Sequence, residues 1–210
     1  KSILTNFEFL YQGIYGESKS ALYRFNDFLE NRYESYALKN DSNVYIPGQI
    51  SVRSNLLSVD RLLVISYEPR AYISSLMSVI SALVRGVGVS VVCRNDDSFF
   101  WWSKIVTYFR QAGISSSQIR IQQISRKALK DALESHVVTN VLVDGKLEQF
   151  EELTQISFNF NYTEKEMIKF YGPFDAPSLT NAKGFLDQFS LVRSFAINTM
   201  RHGAPLELDI

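Results

Sequence analysis

The sequence predicts an α/β fold built on a mostly parallel sheet, with helices before it and a two-stranded flap beside it. Three observations carry this. From Arg61 onward, short apolar runs alternate with helical patterns, the rhythm of βαβ units. Before that point, apolar residues recur at spacings of three, four and seven, as on one face of a helix. Near 49–58 and 191–199, far apart in the chain, the character of the residues changes with a period of two, as in a ribbon with one face covered.

The elements follow in order. Ile3, Leu4, Phe7, Leu10 and Ile14 predict a first helix ending near Gly13 or Gly16. Leu22, Phe25, Phe28, Leu29, Tyr33 and Tyr36 predict an amphipathic helix within 17–39, and Asn40-Asp41-Ser42-Asn43 stops it. Val44 to Gln49 then leads into extended sequence to Val59. Strands are predicted at 62–67, 88–94, 118–124 and 137–143, with a further one at 155–159. Helices are predicted at 71–85, 98–112, 126–134 and 146–153. Right-handed crossovers put those helices on both faces of a Rossmann-like sheet. The stretch Tyr171-Gly172-Pro173-Phe174-Asp175-Ala176-Pro177 breaks the pattern. A short helix near 179–188 and a long strand over 191–199 follow. The chain divides into an N-terminal helical segment (1–43), a flap strand region (44–60), a Rossmann-like α/β domain (61–160), and a return segment with flap strand and tail (161–210).

Composition narrows the function classes. The 210 residues are 46% hydrophobic and 21% charged, enough to bury a proper core. Twenty-two basic and 22 acidic residues give zero net charge, which argues against nucleic acid as the main partner. A single Cys excludes an internal disulfide and fits a reducing compartment. No apolar run approaches the roughly 20 residues of a membrane span. Beginning at Lys1 without Met, the chain reads as a piece of a longer polypeptide.

Few residues offer chemistry. Cys93 sits among Val89, Val91 and Val92 with no His nearby, the setting of a buried structural thiol rather than a nucleophile. Gly86-Val87-Gly88 follows a helix and opens a strand, the reverse of a dinucleotide fingerprint, so a helix C-cap is expected there. His136 and His202 with one Cys make no metal-ligand pattern. Asp96-Asp97 reads as a helix N-terminus, and Glu151-Glu152 as a solvated face. Phe99-Phe100-Trp101-Trp102 exceeds what one helix face can turn to a sheet, so the rest must meet the N-terminal helices or a partner surface. No catalytic residue is assigned.

Several segments resemble one family. Leu62-Leu63-Val64-Ile65-Ser66-Tyr67, then a helical stretch, Gly86-Val87-Gly88, Val89-Ser90-Val91-Val92-Cys93 and Arg94 resemble the start of an aldehyde dehydrogenase cofactor domain. Pro47-Gly48-Gln49 with Asn55-Leu56 resembles the Pro-Gly-Pro-Thr-Gly-Glu-x-Asn-x-Leu segment of bifunctional proline utilisation A proteins. Leu191-Val192-Arg193 with Asn198-Thr199 resembles that family's closing Leu-Val-Glu-Arg-x-x-x-x-Asn-Thr. Longer members carry an extra C-terminal domain of the aldehyde dehydrogenase superfamily without catalytic residues. Ile50-Ser51-Val52 replaces Thr-Gly-Glu, and Gly203-Ala204-Pro205 replaces Gly-Gly-Asn.

The resemblance implies a non-catalytic domain that covers the path of the intermediate from proline to glutamate and aids assembly through an oligomerisation flap. It implies vestigial cofactor contacts at Arg94, Gly145 and Lys146. Asp144 stands where the family has Thr; at the helix N-cap it is expected to satisfy the free N–H groups and to repel a pyrophosphate. Interface residues are expected at Arg53, Asn55, Arg193, Phe195, Ile197, Asn198 and Thr199. No cofactor is expected in this chain, while NAD and FAD serve the parent protein. The implied partners are the adjacent catalytic aldehyde dehydrogenase domain and a second subunit, in the cytoplasm. The alternatives are an NAD-binding module, a free-standing protein-interaction domain, and an enzyme of unrelated chemistry on the same sheet.

Overall fold

The computed structural model describes residues 17–31, 51–58, 61–134, 139–158, 168–172 and 189–197. The helices expected at 3–14 and 179–188 lie outside these residues, as do His136, Asn198, Thr199 and His202. Five helices are described: α1 (Glu17–Asn31), α2 (Ile73–Val84), α3 (Asp96–Gln111), α4 (Arg126–Glu134) and α5 (Leu147–Phe158). The strands are β1 (Ser51–Ser58), β2 (Arg61–Ser66), β3 (Gly88–Cys93), β4 (Ile119–Gln123), β5 (Asn140–Asp144), β6 (Lys169–Tyr171) and β7 (Ser190–Ile197).

Strands β2 to β6 form one sheet in the order β4-β3-β2-β5-β6, every pair parallel. The chain steps outward from β2 to β4, returns through α4 to the far side of β2, and continues to β6. Strand order therefore reverses between β2 and β5, the topological switch point where open α/β sheets place their ligand crevice.

Alternation along the strands builds two cores. Leu62, Val64, Val89, Val91, Cys93 and Leu142 face a core with α2, α3 and Phe25 of α1. Leu63, Ile65, Val92, Val141 and Val143 face a second core with Leu129 and Leu133 of α4 and Leu153 of α5. Period-two patterning puts successive residues on opposite faces, so a sheet covered on both sides reads as a continuous apolar run. Helix α2 is buried along nearly its whole length, from Ser74 to Leu83. Its serines are small enough to let α1 and the sheet close on opposite sides.

Turn chemistry matches the expectation at Gly86. Its φ is +78°, its N–H donates to Leu83 O, and the Val87 N–H donates to Ala82 O. This Schellman end needs the left-handed residue that glycine supplies without a Cβ penalty. At α3, the Asn95 side chain accepts from the Ser98 N–H at 2.7 Å, with Asp96 and Asp97 in the first turn.

Two expectations are corrected. Residues 155–158 belong to α5 and form no strand. The Ile156-Ser157-Phe158 alternation imitates a strand, but Phe150, Leu153 and Ile156 recur every three residues and pack together on the second core. The sheet's fifth strand is Lys169–Tyr171, where no strand is predicted. Three residues are too short to show a period, and this strand is recognised by its pairing with Asn140, Val141 and Leu142.

Strands β1 and β7 form a separate antiparallel ribbon. The Cα register places Ser51 opposite Ile197, Arg53 opposite Phe195, Asn55 opposite Arg193 and Ser58 opposite Ser190. The long-range pairing expected from sequence is present, and it brings five of the seven expected interface positions onto one ribbon.

Candidate functional site

The switch point is organised around Asp144, the last residue of β5. Its carboxylate is fully buried. It accepts from Ser66 Oγ at 2.7 Å, Ser75 Oγ at 2.7 Å and the Tyr72 backbone N–H at 3.0 Å. Tyr72 is the N-cap of α2 and has no capping bond from its own side chain. Asp144 thus caps α2 from the sheet: it takes the N-cap N–H directly and holds the helix's third residue through a hydroxyl.

This corrects the expectation that Asp144 caps the helix that follows it. The cause is strand alternation. Asp144 falls on the face of Leu142, toward α2, whereas α5 packs on the opposite face. At α5, the Lys146 N–H donates instead to Gln149 Oε1. The expected repulsion of a pyrophosphate loses its basis as well, since the charge points into the core. Burial pushes the Asp144 carboxyl up to about 6, against the lowering effect of its three donors, and the nearby Glu68 carboxylate adds to the rise.

Cys93 lies on the same face with zero exposure. Burial pushes its thiol up to about 11, despite a hydrogen bond with Ser98, and the Asp144 charge raises it further. A thiol so placed is not an available thiolate at neutral pH. In the native chain, Cys93 is expected to react with a soluble thiol reagent far more slowly than in urea. Equal labelling rates in the two states would show that Cys93 is accessible.

Arg94 is placed at the mouth of a cleft between α4 and α5. Its guanidinium Nη1 donates to Ile124 O at 2.7 Å. The cleft, of about 190 Å³, is lined by Tyr67, Arg94, Arg126, Leu129, Lys130, Glu152, Leu153 and Ile156. An Arg126–Glu152 ion pair bridges the two helices across it. Burial raises the Tyr67 phenol above its ordinary value.

Gly145 is buried beside this cleft. A Cβ there would lie 3.0 Å from Gln149 Oε1 and 3.2 Å from Tyr67 Cδ2, so a larger residue would press these two side chains aside by a few tenths of an ångström. Lys146 is exposed and does not line the cleft. Of the three expected cofactor contacts, the fold gathers Arg94 and Gly145 near one crevice and leaves Lys146 outside. Nothing local in the sequence joins Tyr67, Arg126 and Glu152: Tyr67 follows β2, Arg126 opens α4 and Glu152 lies in α5, and only the tertiary fold brings them to one cleft.

Among the described residues, this cleft is too small to enclose a dinucleotide. Pockets that enclose a drug-sized ligand measure about 300–1,000 Å³, well above this cleft. Arg94 is already engaged by the Ile124 carbonyl, and Arg126 is paired with Glu152. Among the described residues there is no cluster of metal-ligating side chains, and no helix is long and apolar enough to cross a membrane.

No family model matches the chain, and no curated protein matches it in sequence. Solved structures do match in fold. A NAD-dependent benzaldehyde dehydrogenase from Corynebacterium glutamicum aligns at TM-score 0.54 and 14% identity, over 74% of this chain and 32% of that one. A succinate-semialdehyde dehydrogenase from Burkholderia pseudomallei aligns at 0.52 and 16%, over 68% and 30%. A succinic semialdehyde dehydrogenase from Streptococcus pyogenes, solved with NADP+, aligns at 0.52 and 11%, over 64% and 29%. The chain has an aldehyde-dehydrogenase-like α/β fold, and it spans about a third of the length of these enzymes.

Proposed function

We propose that this chain is a non-catalytic aldehyde-dehydrogenase-like domain of a larger cytoplasmic polypeptide of the proline utilisation A type. In that role it covers the path of the intermediate from proline to glutamate and aids assembly. FAD and NAD serve the other parts of the parent protein. The partners are the adjacent catalytic domain and a second subunit, met through the β1–β7 ribbon. The Pro47-Gly48 and Asn198-Thr199 segments supply the family assignment.

The observation that carries the non-catalytic reading is the closed switch point. Asp144 turns its carboxylate inward to cap α2, Cys93 is sealed in the core, and the Arg94 cleft is bridged by Arg126 and Glu152. A group that is to attack an aldehyde must be reachable and activated, and Cys93 is neither.

Calorimetric titration tests this. No binding of NAD or NADP in the micromolar range is expected, and no aldehyde oxidation with either. A micromolar dissociation constant would instead support the NAD-binding reading, which the basic lining of the cleft favours. Asp144→Ser is expected to weaken the fold without opening a cofactor site, because the side chain faces the core.

The assembly role is tested in the full-length protein by deleting residues 191–210. Assembly or coupled proline-to-glutamate flux should fall while each active site stays competent. Unchanged assembly and flux would remove the role assigned to the ribbon.

A further inference from the structure

The ribbon joins the α/β body at two closely spaced points. On one side, only two residues separate Ser58, at the end of β1, from Arg61, where the central strand β2 begins. On the other, Ser190 opens β7 directly after Phe189. Ser58 and Ser190 are register partners, so both attachments lie at the same end of the ribbon.

Phe189 is unlike the usual residue at such a junction. It has zero exposure and belongs to the core formed with α1, α2 and α3. Its ring lies 5.3 Å from that of Tyr171, tilted at 52°. Tyr171 ends the edge strand β6, and its hydroxyl donates to Asn140 Oδ1, on the first residue of β5, at 3.2 Å. A connected path of side-chain contacts therefore runs from the root of the ribbon through β6 into the sheet. Units joined by few contacts move relative to one another by default. A two-stranded ribbon also has little rigidity of its own.

We infer that Phe189 is a positioning residue that roots the ribbon in the body and sets the direction in which its strands project. The ladder between β1 and β7 keeps the two strands together, and Phe189 keeps the pair pointed. This deepens the assembly reading, which needs the ribbon presented in one orientation. A docking element held in its bound geometry loses less entropy on binding than a free one.

The test uses spin labels on the 210-residue chain, one at Ser54→Cys in β1 and one at Lys127→Cys on α4, in a Cys93→Ser background. Wild-type Phe189 is expected to give a narrow distance distribution. Phe189→Leu, which keeps an apolar side chain in the core, is expected to broaden it about twofold or more while circular dichroism stays native. Tyr171→Phe, which removes the bond to Asn140 and keeps the ring beside Phe189, should broaden it less. An unchanged width in Phe189→Leu would overturn the inference, and so would a wild-type distribution already as broad as the variant's. The measurement does not depend on what the ribbon meets. A narrow, Phe189-dependent distribution together with normal assembly after deletion of 191–210 would keep the anchor and discard the docking role.

Discussion

Asp144→Ala is expected to destabilise the chain by about 2–4 kcal/mol at neutral pH, and Asp144→Asn to stabilise it. Alanine strands three donors in the core: the Tyr72 N–H and the hydroxyls of Ser66 and Ser75. Each buried polar group left unpaired costs about 1–3 kcal/mol. Against this, alanine also removes a carboxylate whose ionisation burial opposes. A rise from 3.8 to about 6 corresponds to about 3 kcal/mol. Asparagine removes the same charge yet keeps an oxygen for Tyr72 and Ser75, while Ser66 can accept from its amide. The two variants should therefore move the urea midpoint in opposite directions. If both destabilise alike, the charge on Asp144 strengthens its hydrogen bonds by more than burial opposes it, and the predicted gain from asparagine is wrong.

The pH dependence follows from the direction of that shift. A carboxyl that binds its proton more tightly folded than unfolded adds stability at low pH. Its contribution is fully present below about 3.8 and is lost as pH rises through about 6. The advantage of Asp144→Asn over the wild type should accordingly be near zero at pH 4 and grow toward pH 7. Comparing the two chains cancels the titration of the other carboxylates, which both share.

What the sequence made legible was the local part of this fold. The apolar runs at β2, β3 and β5 and the Schellman glycine at 86 are dictated by a few neighbouring residues, and the structure has them where expected. The β1–β7 pairing is non-local, and it was legible because both segments carry the same period and matched one family's pattern. The capping partner of Asp144 was not legible. It depends on which face of β5 the residue occupies and on which helix lies there, and one residue of register decides both. The cleft was hidden for a similar reason: Tyr67 just past β2, Arg126 of α4 and Glu152 of α5 are brought together only by the tertiary fold. Strand β6 is too short to carry a signal of its own.

The aromatic run in α3 yields the second large effect: Trp102→Ala is expected to cost about 3–5 kcal/mol, the range for deleting a large buried ring. Trp102 has zero exposure and shares a helix face with Ile105, Val106 and Phe109, all buried. Trp101 meets it edge-on at 5.3 Å, and both Trp101 and Phe99 pack partly against the same core. The core they reach also includes Phe25 and Leu29 of α1. Phe100 points away. It is 64% exposed beneath the Lys104 ammonium, which lies 4.0 Å from its ring centroid. Phe100→Ala should accordingly change stability by no more than about 0.5 kcal/mol, as exposed positions do. Trp102→Phe separates packing from polarity. The Trp102 Nε1 is buried and finds no partner among the described residues, so phenylalanine removes a strained polar group along with part of the ring. Its cost should stay well below that of alanine, at about 1 kcal/mol. The discriminating result is the order of the three denaturation midpoints, with Phe100→Ala highest, Trp102→Phe next and Trp102→Ala far below. A Phe100→Ala loss as large as that of Trp102→Ala would mean that the outer face of α3 is covered in solution, and that the aromatic run serves an interface as well as the core.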